Sequence, residues 1–118
     1  MKRIAGTAFV KVDGQQLELE GSMEAPLTDT TRETKMGSAG VAGFKETERM
    51  KYIKGSFFVP PGFPLEKLQS GTEMVVTADF ANGMSYVLSG AVLVGDPALS
   101  ADEGNTELEF NGSKGKWQ

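Results

Sequence analysis

The stretch from Thr72 to Phe80, TEMVVTADF, is the clearest structural signal in the chain, because apolar side chains recur at every second position. One side of this stretch carries only apolar residues: Met74, Val76, Ala78 and Phe80. A period of two residues is typical of a β-strand with one face buried. The turn sequence Ala-Asn-Gly at 81–83 separates it from a second β-rich run, Met84 to Val94. The two runs therefore predict neighbouring strands of a sheet.

The N-terminal part of the chain predicts a β-hairpin. Residues alternate from Ile4 to Val12, and Asp13-Gly14 follows as a strong turn signal. The return strand runs from Gln16 to Ser22 and directs Leu17 and Leu19 inward. We therefore expect two antiparallel strands joined by a tight turn.

Further strands and one short helix are predicted in the second half. A strand from Tyr52 to Val59 ends at a proline-rich turn, because proline cannot donate a hydrogen bond to a ladder. Residues 64–70 predict a short helix that begins at a proline and ends before a glycine. Leu65 and Leu68 are expected to dock it on the sheet. A last strand is predicted from Thr106 to Gly112, where leucine and phenylalanine alternate with polar residues.

The segment from about residue 23 to residue 50 differs from the rest of the chain. It is polar, contains Gly37, Gly40 and Gly43, and has no sustained period of either kind. Thr28 to Glu33 could form one turn of helix, and Gly43 to Met50 could resume a strand. A connection of this length is usually a functional loop, a disordered segment or a misread element. The residues alone leave open whether this arm contacts another subunit or is disordered in a monomer.

These elements predict a single domain over residues 1–118 that is mainly β. Six or seven strands form a small β-sandwich or partly closed barrel of two packed antiparallel sheets. One short α-helix and a long extended arm loop complete the architecture.

The composition excludes several classes of catalyst. The sequence has no cysteine and no histidine, so thiolate nucleophiles, histidine general bases and ordinary zinc sites are ruled out. Sixteen acidic residues outnumber twelve scattered basic ones, which argues against a phosphate-gripping nucleic-acid surface. There is no apolar run of about 18 residues and no signal-peptide pattern. We expect a cytoplasmically made protein that is not an enzyme and needs no cofactor or metal.

Three weak motifs have simpler explanations. The glycine-rich run Gly37 to Lys45 lacks the Gly-Lys-Ser/Thr ending of a phosphate-binding loop, so a flexible tip is the better interpretation. The acids near Asp96 and Asp102 do not have EF-hand spacing and fit a turn. Paired glutamates on the predicted strands, which a glycosidase would need, are also what a solvated strand face carries.

Taken end to end, the chain resembles the tail tube proteins of contractile-tailed, Mu-like phages, a family related to the tube proteins of type VI secretion systems. The resemblance covers essentially all 118 residues and rests on the order of several segments. These are AFVKVDG at Ala8 to Gly14, the long polar arm, KGSFFVPPG at Lys54 to Gly62, Gly95-Asp96-Pro97, and ELEFNG at Glu107 to Gly112.

The resemblance implies a structural virion protein that forms hexameric rings stacked as a hollow tube, the conduit for DNA ejection inside a contractile sheath. Sheets of six subunits would line the tube, and sheath, baseplate and tape-measure proteins would be partners in the virion tail, with host cytoplasm as the place of assembly. The arm would then contact a neighbouring subunit or ring. The arm residues expected to do so are Thr31, Arg32, Lys35, Met36, Val41 and Phe44.

DNA that slides through a tube without sticking requires a wall that repels phosphate. Candidate acids for such a wall are Glu18, Glu20, Asp79, Glu107 and Glu109. Alternation along the strands does not tell the lumen from the outer surface. The alternatives are a monomeric β-sandwich binding module of a virion, and a small carboxylate-dependent hydrolase. Rings or tubes in electron micrographs of the purified protein would support a tube subunit and would count against both of these alternatives.

Overall fold

The computed structural model describes residues 8–118, which contain ten strands and one helix. In chain order the elements are β1 (Phe9–Val12), β2 (Gln15–Leu17), β3 (Leu19–Glu24), β4 (Thr30–Gly37), β5 (Gly40–Glu48), β6 (Lys51–Phe58), α1 (Leu65–Ser70), β7 (Met74–Asp79), β8 (Ser85–Val94), β9 (Asn105–Gly112) and β10 (Lys114–Trp117).

Eight of the strands form a partly closed barrel. Their ladder runs in the order β2-β1-β7-β8-β9-β6-β3, with β10 paired to β8, and all described pairings are antiparallel. The long strand β8 is divided into two halves at Gly90, which has a φ of 62°. Each half belongs to a different sheet. We call β2, β1, β7, the first half of β8 and β10 the A sheet. The B sheet comprises the second half of β8 together with β9, β6 and β3. The predicted fold class is confirmed.

The predicted N-terminal hairpin is present, but its return strand is divided. Asp13, at φ 50°, and Gly14 form the turn between β1 and β2. At Glu18 the chain leaves the A sheet, and β3 continues as the far edge of the B sheet beside β6. This single-residue transition brings the two edges of the ladder together and closes the barrel on one side. The predicted strand residues from Ile4 to Thr7 lie outside the described part of the chain.

The core contains most of the side chains that alternation selected, although Leu19, which was expected to point inward, is only partly buried. Met74, Val76 and Ala78 of β7 are buried, whereas Phe80 is partly buried at its edge. In α1, Leu68 is buried against the sheet. Leu65 is 63% exposed, so the expectation that both leucines dock was wrong. A helix of six residues turns only one narrow face to the sheet, and Leu65 does not lie on it.

The arm is a regular β-hairpin rather than an irregular loop. Strands β4 and β5 pair over their full length and form a separate two-stranded sheet. The predicted helical turn from Thr28 to Glu33 is wrong, because β4 begins at Thr30. The predicted strand from Gly43 to Met50 is largely correct, since β5 ends at Glu48. The molecule is 62 Å long, and its Cα radius of gyration of 17.2 Å exceeds the roughly 13.5 Å of a compact chain of this length.

A C-terminal strand, β10, adds to the A sheet in a stretch where no element was predicted. It pairs with the first half of β8 from Lys114 to Trp117. Its four residues are too few to show a period. This strand places Trp117 beside the base of the arm.

Candidate assembly surfaces

One face of the arm hairpin ends in an apolar patch. The cross-strand pairs Thr34–Phe44 and Met36–Val41 bring three large apolar side chains to the distal half of the hairpin. We call Met36, Val41 and Phe44 the arm patch; they are 69%, 71% and 63% exposed. The structure therefore brings together three of the six predicted arm residues on a surface that has no partner within the described chain.

The proximal half of the same arm face is polar and paired. Arg32 Nε lies 3.1 Å from Glu46 Oε1, and its guanidinium stands over the Phe44 ring at 5.1 Å from the centroid. A hydrogen bond from Arg32, which has the larger effect, and one from Thr30 lower the pKa of the Glu46 carboxyl below its ordinary value. Both partners of this ion pair are exposed, so it orients the hairpin more than it stabilises it. Arg32 thus contacts the Phe44 ring of the arm patch on the side nearer the base of the arm.

The remaining two predicted arm residues lie on the opposite face of the hairpin. Thr31 pairs with Thr47, and Lys35 lies 3.5 Å from Glu33 in an exposed ion pair. This face carries small and charged side chains only. The arm is therefore a two-sided ribbon that is apolar on one side of its tip and polar on the other.

Trp117 attaches the base of the arm to the barrel. Its indole Nε1 donates a hydrogen bond of 2.9 Å to the carbonyl oxygen of Pro26, which lies between β3 and the arm. Its ring packs against Tyr86 and Phe80, at centroid distances of 4.9 and 5.5 Å. The backbone N–H of Arg49 donates to Asp29 across the base of the hairpin at 3.0 Å. The arm thus leaves the barrel from a packed, hydrogen-bonded base.

The outward side of the B sheet is acidic. Cross-strand register places Glu24, Lys54 and Glu109 in one row. The next row contains Ser56 and Glu107, and Ser56 donates to the carboxylate of Glu20. We call Glu20, Glu24, Glu107 and Glu109, with Lys54 among them, the acidic face. Three of the five predicted wall acids lie on it, and Glu24 was missed because the sequence did not show that β3 extends to it.

The other two predicted acids lie elsewhere. Asp79 is in β7 of the A sheet, where it accepts a hydrogen bond of 2.6 Å from Ser85 Oγ. Glu18 is exposed at the transition between the two sheets. The outward side of the A sheet carries Lys11 and Lys116, which flank Thr77 and Val87 in one row, and Lys114 beside it. The barrel therefore has one acidic side and one side on which lysines predominate.

Two open clefts mark the surface of the barrel over the described residues. One cleft of about 440 Å³ lies beside β9 and is bordered by the loop that follows β8. Another of about 590 Å³ lies between β10 and the base of the arm. Over residues 8–118 no group of three acidic side chains is arranged to hold a metal ion. No helix in the same range is long and apolar enough to cross a membrane.

Comparison with known proteins assigns the chain to a family. The family model of the phage tail tube protein matches residues 1–117. A sequence search of curated proteins finds no match. Among solved structures, a chain of the sheath/tube terminator of the extracellular contractile injection system PVC superposes with a TM-score of 0.65 at 14% identity, over 94% of this chain and 92% of that one.

Two further structures share the fold. A chain of the tube-terminating cap of the anti-feeding prophage has a TM-score of 0.67 at 12% identity, covering 100% of this chain and 93% of that one. Hcp1 from Flavobacterium johnsoniae has a TM-score of 0.61 at 9% identity, covering 93% of both chains. At such identities the likeness shows the fold, and the family model supplies the membership. The chain belongs to the phage tail tube protein family and is a structural tube protein.

Proposed function

We propose that this protein self-assembles into hexameric rings that stack as the hollow tail tube inside a contractile sheath and form the conduit for DNA ejection. The observation that carries this proposal is the arm patch, held out on a ribbon that contributes nothing to the barrel core. A two-stranded hairpin is marginally stable alone in water. Burying each of its three apolar side chains would contribute about 1.5–3 kcal/mol.

A second copy is the partner that the arm geometry favours. Strand β6 begins at Lys51, directly after the arm, and ends at Phe58, ahead of α1, so the arm and the exposed Leu65 of α1 lie toward opposite ends of β6. Subunits that stack head to tail bring these two ends together, and such heterologous contacts continue along an axis as a filament requires. The arm of one ring would therefore bury its patch on a subunit of the next ring.

The acidic face supplies the tube wall in this proposal. Its four glutamates and one lysine would repel the phosphate backbone of DNA and leave it free to slide. Of the predicted acids, Glu20, Glu107 and Glu109 are assigned to the lumen. Asp79 lies on the opposite side of the barrel, which would then face the sheath. Baseplate and tape-measure proteins would meet the ends and the lumen of the tube, in the virion tail.

Removing the arm tests this function. Because the N–H of Arg49 donates to Asp29, residues 30–48 can be replaced by two glycines without separating the base of the arm. We expect this variant to keep the thermal unfolding midpoint of the parent barrel and its Trp117 fluorescence. In negative-stain electron microscopy the parent should form rings or tubes, and the variant should form none.

A matched control keeps the arm but changes its polar face. Thr31→Ser and Thr47→Ser alter the side of the hairpin that lacks the arm patch, and this double variant should assemble like the parent. If the arm-deleted protein forms normal tubes, the arm is not the stacking element. A parent protein that stays monomeric at high concentration supports the alternative of a monomeric binding module.

A further inference from the structure

The chain contains two Asn-Gly pairs, and the structure places them in opposite surroundings. Asn82-Gly83 lies in the turn between β7 and β8, where both residues are exposed. Asn111-Gly112 lies at the end of β9 and is partly buried. Because glycine has no side chain, its backbone nitrogen can approach the side-chain carbonyl carbon of a preceding asparagine without a steric barrier. Each pair therefore holds a nucleophile beside an electrophile, and the surroundings decide which pair reacts.

The turn between β7 and β8 is a short hairpin loop that is exposed at its tip. The N–H of Phe80 donates to the carbonyl of Met84 at 2.9 Å and closes the loop. At the tip, the N–H of Gly83 donates to the carbonyl of Phe80 at 3.1 Å. The last ladder pair of this hairpin is Asp79–Ser85, so the tip can open without the loss of a ladder pair. Opening such a tip costs far less free energy than opening a core strand.

The carbonyl oxygen of the Asn82 side chain already has a hydrogen-bond donor in this loop. Asn82 Oδ1 accepts a hydrogen bond of 3.0 Å from the backbone N–H of Met84. When the nitrogen of Gly83 adds to Asn82 Cγ, negative charge develops on that same oxygen. A backbone N–H that is already directed at the oxygen stabilises this charge, as the donors of an oxyanion hole do. The loop therefore supplies both the nucleophile and a stabilising donor for the reaction.

The second Asn-Gly pair lacks this freedom because it belongs to the barrel ladder. Asn111 pairs with Tyr52 of β6 on one side and with Val92 of β8 on the other. Gly112 lies opposite Lys51, and the register of this ladder makes the two a hydrogen-bonded pair. The nitrogen of Gly112 can therefore reach the Asn111 side chain only after this end of β9 has separated from β6.

We infer that Asn82 is a site of spontaneous covalent modification and that the fold protects Asn111 from the same reaction. The nitrogen of Gly83 forms a bond to Asn82 Cγ, and its proton passes through water to the side-chain amide, which leaves as ammonia. The product is a cyclic imide. Water then adds to one of its two carbonyl carbons and opens the ring to aspartate or isoaspartate. Water is the only co-reactant, no group is oxidised or reduced, and the inference does not depend on the proposed tube.

The two products differ in their effect on the barrel. Aspartate keeps an oxygen that can accept from Met84 and adds only a negative charge. Isoaspartate places the former side-chain Cβ in the main chain, so the loop becomes longer by one carbon atom. The loop begins at Phe80, whose ring packs on Trp117, and Trp117 in turn donates a hydrogen bond to Pro26 at the base of the arm. Isoaspartate in this turn would therefore disturb the attachment of the arm.

Ageing of the purified protein in warm, mildly alkaline buffer tests the inference. Fragment-ion mass spectrometry that separates isoaspartate from aspartate should show that Asn82 converts at least about tenfold faster than Asn111, because the loop opens more often than the ladder. In guanidinium chloride the two positions should convert at similar rates, since the dipeptide is the same and the ladder is gone. The variant Asn82→Gln, whose longer side chain closes a ring less readily, should show no conversion at this position.

Equal rates at the two positions of the folded protein would overturn the protection of Asn111. An Asn82 that converts only in guanidinium chloride would overturn the modification site itself. The effect on the arm is measured by Trp117 fluorescence, which should change in the aged fraction that contains isoaspartate and match the parent in the variant Asn82→Asp. Identical fluorescence in all three proteins would contradict that effect.

Discussion

Gly115 lies in the middle of β10, directly against the phenol of Tyr86. A β-carbon at this position would overlap the phenol oxygen and its ring carbon. Tyr86 is fully buried, its hydroxyl has no hydrogen-bond partner among the described residues, and burial raises the pKa of that hydroxyl. The absent side chain of Gly115 therefore makes room for the ring on which Trp117 and the arm base depend.

We predict that Gly115→Ala lowers the free energy of unfolding by about 1–3 kcal/mol, because it overpacks a filled site. Thermal and urea denaturation followed by tryptophan fluorescence measure the change. Gly37→Ala in the arm is the control, since a β-carbon there would meet Ala42 at an ordinary 3.5 Å. Equal stabilities for the two variants would show that the Tyr86 site is not tightly packed.

Among the elements, the arm patch should contribute to assembly and the barrel to the stability of the subunit, so substitutions in the patch should change only assembly. We predict that Phe44→Ser with Met36→Ser leaves the unfolding midpoint of the subunit within experimental error, since both side chains are exposed. The same change should raise the critical concentration for assembly at least tenfold, because lost burial of two such side chains exceeds about 1.4 kcal/mol.

The control is Lys45→Ser on the polar face of the arm, opposite Glu33. Pelleting by ultracentrifugation over a concentration series measures both variants. A double variant that assembles at the same concentration as the control would remove the arm patch from the interface.

The sequence predicted the elements with one buried face; of the arm, which has none, it predicted only part of β5 and missed β4. Strand β7 showed its period because Met74, Val76 and Ala78 enter a core while their neighbours meet solvent. Strands β4 and β5 have no such contrast, since almost every side chain of the isolated hairpin is exposed. The sequence did not show the transition at Glu18, because Leu17 and Leu19 alternate with polar residues as they would in one continuous strand. Which acids share a face depends on that transition and on the pairing of distant strands.

In the whole molecule, the two sides of the barrel carry opposite charge, which suits a tube wall whose inner and outer surfaces meet different molecules. The acidic face and the lysines of the A sheet lie on opposite sides of one thin barrel. The arm extends from one end of the barrel, so in the proposed tube the stacking contacts would use a surface separate from the acidic face.

A cryo-electron microscopy reconstruction of the assembled protein would test the proposed tube and its lumen in one measurement. We expect a hollow tube of stacked six-fold rings with Glu20, Glu24, Glu107 and Glu109 lining the lumen and the arm patch buried on the next ring. A monomer at high concentration, or a tube whose lumen is lined by Lys11, Lys114 and Lys116, would contradict it.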